Sequence, residues 1–99
     1  MDQKEVIRLL TEYKTLISRH FDLDQMFLYG SYATHSATAD SDIDVAIILK
    51  EFKDNYFNVV PKIWKLRKEI DPRIEPHVFE KGKDRSGILL EIQKTGIAI

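Results

Sequence analysis

The spacing of apolar residues predicts an amphipathic helix at the start of the chain. From Asp2 to His20, apolar side chains recur three and four residues apart, which places them on one stripe of a helix. The stripe consists of Val6, Leu9, Leu10, Tyr13, Leu16 and Ile17. We therefore predict a first helix that packs this stripe on a hydrophobic core.

Two short apolar segments after this helix predict strands. Gln25 to Tyr29 is apolar and aromatic and stops at Gly30, a pattern that favours a buried strand ending in a turn. Residues 30–41 are small and polar and indicate a loop with room for one helical turn. Ile43 to Leu49 is a nearly unbroken β-branched and aliphatic run, which suits a strand covered on both faces.

A second helix is predicted after a charged connection. Tyr56 to Ile70 carries apolar residues at helical spacing, and Pro61 must lie in the first turn or kink the helix. Phe57 and Trp64 follow this spacing, so we interpret them as core residues and not as a platform for stacking a base. The basic residues of this helix are interpreted as its solvated face: Lys62, Lys65, Arg67 and Lys68.

The last third of the chain predicts a strand and a short helix. Arg73 to Phe79 predicts a third strand, and Pro76 within it indicates an edge position or a bulge. Ile88 to Lys94 predicts a short helix closed by Gly96. This order of elements is typical of a small α/β (α+β) fold, a mixed sheet flanked by helices.

Length, charge and cysteine content narrow the class of protein. With 99 residues the chain can bury one hydrophobic core, so we predict a single domain over residues 1–99. Its 15 Lys and Arg against 16 Asp and Glu give no positive field that would draw nucleic acid or anionic lipid. Cysteine is absent, and no stretch approaches the roughly 20 apolar residues of a membrane span. We expect a soluble, cytoplasmic protein.

Residues suited to phosphate and metal chemistry flank the polar loop. Asp42 and Asp44 are spaced i and i+2, so both project from one face of the strand while Ile43 points into the core. Two carboxylates on one face can hold one or two hard divalent cations. At the other end of the loop, Gly30 lets the backbone approach a phosphate and Ser31 can donate to its oxygens. We expect the two strand ends to converge on one triphosphate.

This pattern resembles a known family. Gly30-Ser31, ten residues, then Asp42 and Asp44 is similar to the GS-x10-DxD signature of the minimal nucleotidyltransferase (MNT) domains in the polymerase-beta-like nucleotidyltransferase superfamily. The resemblance covers the whole chain and implies that fold. It implies that Asp42 and Asp44 bind Mg²⁺, that ATP is the substrate, and that Gly30, Ser31 and Ser41 bind the nucleotide.

The family's third carboxylate lies on the strand after the long helix, where Glu75 is the best candidate. Pro76 follows it and His77 shares its face, so Glu75 is either the third metal ligand or a position weakened in this protein. The resemblance implies in-line attack of a hydroxyl on the α-phosphorus, with Glu75 completing the metal site or helping to deprotonate the hydroxyl, and loss of pyrophosphate.

The resemblance also implies a protein partner. Stand-alone members are often paired with a helical HEPN-type RNase toxin and, as MntA-like antitoxins of type VII toxin-antitoxin systems, transfer AMP to a tyrosine hydroxyl of the toxin. We therefore expect a protein adenylyltransferase. The alternatives are a non-catalytic module that neutralises a partner by occlusion, or nucleotidyl transfer to a small molecule or RNA end. A homo-oligomer stays open.

Other interpretations of the polar residues are weaker. Four acidic residues match the first, third, fifth and twelfth positions of an EF-hand loop: Asp40, Asp42, Asp44 and Glu51. Val45 stands where the sharp turn of that loop needs glycine, so we reject a calcium loop. The three histidines have no spacing suited to a shared metal and are interpreted as surface or capping residues: His20, His35 and His77.

Overall fold

The computed structural model describes residues 1–84 and 86–99, which form a sheet flanked by helices. The strands are β1 (Leu23–Tyr29), β2 (Ile43–Leu49), β3 (Ile74–Glu80) and β4 (Ile97–Ala98). The helices are α1 (Gln3–His20), α2 (Tyr56–Leu66) and α3 (Ile88–Thr95), with short 3-10 turns at Gly30–Tyr32 and Arg67–Glu69. Within the described part of the chain, no helix combines the length and apolar character needed to cross a membrane.

The sheet is mixed and has the strand order β3-β2-β1-β4. β1 pairs antiparallel with both β2 and β4, whereas β2 and β3 run parallel. The predicted mixed sheet with flanking helices is confirmed, and so is the edge position that Pro76 indicated for the third strand. The short strand β4 was not predicted.

Helix α1 packs on the core through the predicted stripe. The Asp2 side chain caps the helix by accepting a hydrogen bond from the Glu5 N–H at 2.8 Å. Four stripe residues are buried: Val6, Leu10, Tyr13 and Ile17. The Tyr13 hydroxyl donates to the carbonyl of Ile63 at 2.9 Å, so a buried hydrogen bond joins α1 to α2. Burial raises the pKa of Tyr13, which keeps this hydroxyl protonated as a donor.

Helix α2 buries a stripe that differs in part from the predicted one, which ran through Phe57, Val60, Ile63 and Trp64. The prediction that Phe57 belongs to the core is wrong, because its side chain is 82% exposed while Val59 and Ile63 are buried. Val59 and Ile63 lie one turn apart, and Phe57 lies about 200° around the helix from Val59, facing away from the sheet. Trp64 is half-buried, and its ring centroid lies 4.8 Å from the guanidinium of Arg67.

The end of α2 also differs from its prediction. The helix stops at Leu66 and continues as the 3-10 turn Arg67–Glu69, and Pro61 lies inside α2 beyond its first turn. Arg67 was predicted to face solvent, and this is wrong. Its guanidinium is half-buried and donates to the carbonyls of Pro72 and, at 3.0 Å, Ile74 at the start of β3.

The two faces of the sheet are covered unequally. On the face covered by α1 and α2, here called the two-helix face, the buried strand residues are Met26, Leu28, Ile43, Val45, Ile47, Leu49 and Ile74. On the opposite face, here called the one-helix face, α3 packs Leu89 and Ile92 against Phe27, Ala46 and Ile48. The alternation of side chains along a strand produces this division.

Candidate active site

Three neighbouring strands bring polar side chains side by side at one end of the one-helix face. Tyr29 is the register partner of Asp44 across the antiparallel pair β1 and β2. Asp44 is in turn the register partner of Glu75 across the parallel pair β2 and β3. Glu75 was the candidate from sequence for the third carboxylate, and the fold places it directly beside Asp44.

Helix α3 leaves this end of the face uncovered. Its apolar residues pack over Ala46 and Ile48, the two residues that follow Asp44 on the same face of β2. Asp44 and Glu75, here called the carboxylate pair, are therefore half-buried, whereas Ile43 and Val45 on the opposite face are fully buried. The carboxylate pair is therefore backed by buried apolar side chains on the opposite face of the sheet, and it remains accessible to ligands.

Gly30 brings the backbone of the polar loop against the carboxylate pair. Its φ of 74° is in the left-handed region, and a Cβ at this position would lie 2.5 Å from Asp44 Oδ2. A side chain would therefore displace the carboxylate, so glycine is required both by conformation and by space. The turn that contains Gly30 and Ser31 and the strand that contains Asp44 thus meet, as the sequence predicted.

The other predicted site residues lie nearby in different environments. Ser31 is half-buried in the 3-10 turn, and its carbonyl accepts from the Ser36 N–H at 2.9 Å. The Ser41 hydroxyl accepts from the Thr38 N–H at 2.9 Å and closes the turn that leads into Asp42. Asp42 is exposed just before β2.

Sequence reasoning noted that His77 shares a face with Glu75 but did not consider it as a metal ligand. One ligand atom each from Asp44, Glu75 and His77 lies within 4.8 Å of the others, a group that could hold a metal ion. His77 is exposed, as interpreted, but it is also part of this group. The available signal was its i+2 spacing from Glu75, which puts both on one face of β3.

The charges at this end of the sheet perturb one another. Burial raises the pKa of Asp44, and the negative charge of Glu75 raises it further, with a smaller contribution from Asp42. Burial and the charges of Asp44 and Glu75 raise the pKa of Tyr29 to about 12. Acidic groups thus share a site in which negative charge is unfavourable, a situation that a bound cation relieves. The oxygen-rich donor set fits a divalent metal.

Two aromatic rings form one wall of the site. The rings of Tyr29 and His77 are arranged edge to face, with centroids 5.7 Å apart and an angle of 64° between their planes. Tyr29 is held between this ring and the apolar residues under α3. The wall restricts the orientation of the imidazole ring beside the carboxylate pair.

A separate cleft of about 580 Å³ lies at the opposite end of the sheet. It lies between the end of α1 and the start of α2, and its lining includes His20, Phe52 and Lys62 but neither member of the carboxylate pair. Its size alone does not mark it as the reactive site, because the grouped carboxylates lie elsewhere.

Comparison with known proteins gives consistent matches. Residues 11–99 match the family model described as polymerase beta, nucleotidyltransferase. A candidate protein adenylyltransferase of Methanocaldococcus jannaschii is 29% identical over 101 residues, covering 96% of this chain and 99% of the relative.

Two solved structures share the fold. A candidate nucleotidyltransferase from Sulfolobus solfataricus has a TM-score of 0.73 at 20% identity, covering 97% of this chain and 80% of that chain. A chain of a toxin-antitoxin structure solved with AMP-PNP has a TM-score of 0.60 at 18% identity, covering 99% of this chain and 72% of that chain.

Proposed function

The chain belongs to the polymerase beta nucleotidyltransferase family, and on that premise we propose that it transfers AMP from ATP to a hydroxyl group of a protein. The observation that carries the proposal is the meeting of the Gly30 turn with the carboxylate pair, where a Cβ on Gly30 would lie 2.5 Å from Asp44 Oδ2. Because the turn and the carboxylate pair are in contact, a triphosphate held by the turn and a cation held by the pair would lie in one shared site.

Asp42, Asp44 and Glu75 would hold the divalent cation, which we propose to be Mg²⁺. When bound, such a cation neutralises phosphate charge and stabilises the attacking and leaving oxygens. Asp44 and Glu75 contribute adjacent carboxylates from paired strands. Asp42 is exposed and lies outside the close group of Asp44, Glu75 and His77, so its proposed part is to add negative charge near the site, which also raises the pKa of Asp44.

The 3-10 turn Gly30–Tyr32 is proposed to bind the triphosphate. The first N–H groups of a helical turn have no acceptor within the turn, and successive N–H groups of this kind form an anion site. Ser31 adds a hydroxyl donor. Ser41 contributes by closing the turn before Asp42 through its hydrogen bond with the Thr38 N–H.

The reaction is an in-line displacement. The acceptor oxygen forms a bond to the α-phosphorus of ATP, and the bond from that phosphorus to the bridging oxygen of the β-phosphate breaks. The leaving group is pyrophosphate, and Glu75 accepts the proton of the acceptor hydroxyl directly or through water. Glu75 suits this role because its carboxylate is half-buried and lies beside Asp44.

The acceptor is proposed to be a tyrosine hydroxyl of a HEPN-type toxin, for which this chain would be the antitoxin. Two comparisons support a protein acceptor and a toxin partner. The Methanocaldococcus jannaschii relative, matched over nearly its whole length, is a candidate protein adenylyltransferase. The toxin-antitoxin structure that shares the fold was solved with an ATP analogue.

An occlusion-only antitoxin is disfavoured by the same site. Such a module has no use for a half-buried carboxylate, Asp44, whose charged form is disfavoured by burial and by the neighbouring charge of Glu75. The uncertain third carboxylate was the main support for this alternative. The pairing of Glu75 with Asp44 in adjacent strands favours the catalytic proposal over this alternative.

The test is intact-mass spectrometry of a HEPN-type protein encoded beside this chain, incubated with this protein, ATP and Mg²⁺. We expect a mass increase of one or more AMP units with the wild type and none with Asp42→Asn/Asp44→Asn. Asp40→Asn is the matched control, because Asp40 is an exposed loop residue two positions before Asp42 and is not among the residues proposed to hold the cation. Absence of the adduct, with equal neutralisation of the toxin by the double variant, would show that binding alone is the function.

A further inference from the structure

We propose that His77 is a nitrogen ligand in the same metal site, so that the site selects a divalent transition metal, represented by Mn²⁺, over Mg²⁺. This inference rests on the metal site of the proposed function, adds a nitrogen to its donor set, and replaces Mg²⁺ as the preferred cation while leaving the transfer reaction unchanged. Ligand atoms of Asp44, Glu75 and His77 lie within 4.8 Å of one another, a separation that one cation can bridge.

The backbone of β3 aims His77 at the site. Glu75 and His77 are two residues apart on one strand, so both project from the one-helix face. Pro76 between them is buried on the opposite face and restricts the backbone through its ring. The relative positions of the two ligands are therefore set by a rigid segment of strand and not by a loop.

The neighbours of His77 leave space for coordination and limit rotation of its ring. Its register partner on β2 is Ala46, whose small side chain does not fill the space between the imidazole and Asp44. On the other side, the Tyr29 ring packs edge to face with the imidazole at 5.7 Å. An imidazole held in this way loses little conformational entropy on binding a metal.

The donor set determines the preferred metal. Mg²⁺ is a hard cation that takes oxygen ligands in near-ideal octahedral geometry, whereas imidazole nitrogen suits transition metals. Two carboxylates and one imidazole therefore form a mixed site that a transition metal can use completely and Mg²⁺ only in part. His77 thus acts on the choice of metal, while the carboxylate pair would provide most of the charge.

The test is pulsed electron paramagnetic resonance of Mn²⁺ bound to the full chain without nucleotide, so that adenine cannot contribute a nitrogen. We expect a ¹⁴N coupling typical of a bound imidazole in the wild type. It should be replaced by ¹⁵N coupling when the protein is labelled with ¹⁵N-histidine, and it should be lost in His77→Gln. His20→Gln is the control, because His20 lies in the cleft at the opposite end of the sheet.

Calorimetric titration with each metal alone completes the test. We expect His77→Gln to weaken Mn²⁺ binding by roughly 10- to 100-fold and Mg²⁺ binding by less than about threefold. Mn²⁺ that binds in an Asp44-dependent manner without ¹⁴N coupling would overturn the role of His77 and leave the proposed function intact. Failure of both metals to bind the wild type would overturn both. If His77→Gln does not fold, retention of the ¹⁴N coupling in both His20→Gln and His35→Gln identifies His77 as the ligand, because the chain has three histidines, whereas loss of the coupling in either variant would overturn the proposal.

Discussion

The two faces of the sheet are built from alternate residues of the same strands, yet they differ in what they do. Along β2, Ile43, Val45 and Ile47 point to the two-helix face, and Asp44, Ala46 and Ile48 point to the one-helix face. Two helices close the first face. One short helix covers only part of the second, and the carboxylate pair lies where that cover ends.

The difference shows how a small chain supports a costly site. The charged form of Asp44 is disfavoured by burial and by the neighbouring charge of Glu75. The two-helix face buries apolar side chains from α1, α2 and three strands. The free energy gained from this burial offsets the unfavourable electrostatic energy of the carboxylate pair. Substitutions on the two faces should therefore separate activity from stability.

Asp44→Asn should have the largest effect. Loss of one carboxylate that holds the cation removes several kcal/mol of transition-state stabilisation, so we expect AMP transfer to fall by about 10²- to 10³-fold. Stability should not decrease, because the substitution removes a repulsive charge next to Glu75. Transfer rates and urea unfolding measure the two effects. Transfer at the wild-type rate would place the site elsewhere.

Ile47→Ala tests the opposite face. Ile47 is fully buried among apolar side chains, so we expect a loss of about 2–5 kcal/mol in the free energy of unfolding. The transfer rate of the molecules that remain folded should be nearly unchanged. Leu90→Ala is the control, because Leu90 on α3 is 58% exposed and should change stability by less than about 0.5 kcal/mol. A similar loss in both variants would refute the unequal division between the faces.

Gly30→Ala compared with Gly82→Ala separates backbone strain from displacement of the carboxylate. Both glycines have positive φ, 74° and 77°, so each substitution should cost about 1–2 kcal/mol of stability. A Cβ on Gly30 meets Asp44, whereas one on Gly82 has nothing within 4 Å. We therefore expect AMP transfer to fall roughly 100-fold in Gly30→Ala only. Equal activity in the two variants would argue against contact between the turn and Asp44.

Asp84→Asn should have the smallest effect, on the anchoring of α3. The Asp84 carboxylate accepts hydrogen bonds from the Ser86 hydroxyl at 2.7 Å and the Leu89 N–H at 2.6 Å. These bonds hold its pKa below the usual value of 3.8. Because the folded-state pKa is depressed, the contribution is present above pH 3.8 and is lost as the pH falls through the folded-state pKa. Urea unfolding of the wild type and Asp84→Asn should show that the difference between their free energies of unfolding becomes smaller as the pH falls below 3.8. A difference that stays constant with pH would contradict this role of Asp84.

Most of the fold could be predicted because local patterns determined it. The stripe of α1 and the bounds of β2 follow from apolar spacing and from an unbroken β-branched run. Strand β4 could not be predicted, because two apolar residues carry no period and form a strand only by pairing with Phe27 and Leu28. Phe57 was misplaced because two overlapping helical stripes fit the same segment, and tertiary packing selects one.

The site was predictable in part for a related reason. Gly30 and Asp44 belong to a motif whose spacing along the chain is visible, so their meeting was expected. The grouping of Glu75 and His77 with Asp44 depends on the register between β2 and β3, which are joined through a helix. No local pattern specifies that register. Glu75 could be proposed only through resemblance, and His77 was taken for a surface residue.

The central claim is that the open end of the one-helix face transfers a nucleotidyl group. It is tested most directly by comparing [α-³²P]ATP and [γ-³²P]ATP as donors to the proposed HEPN-type partner in the presence of a divalent cation. We predict that only the α label becomes bound to the partner, that the γ label leaves as pyrophosphate, and that Asp44→Asn lowers the rate of labelling by about 10²- to 10³-fold. Transfer of the γ label, or undiminished α labelling by Asp44→Asn, would contradict the account.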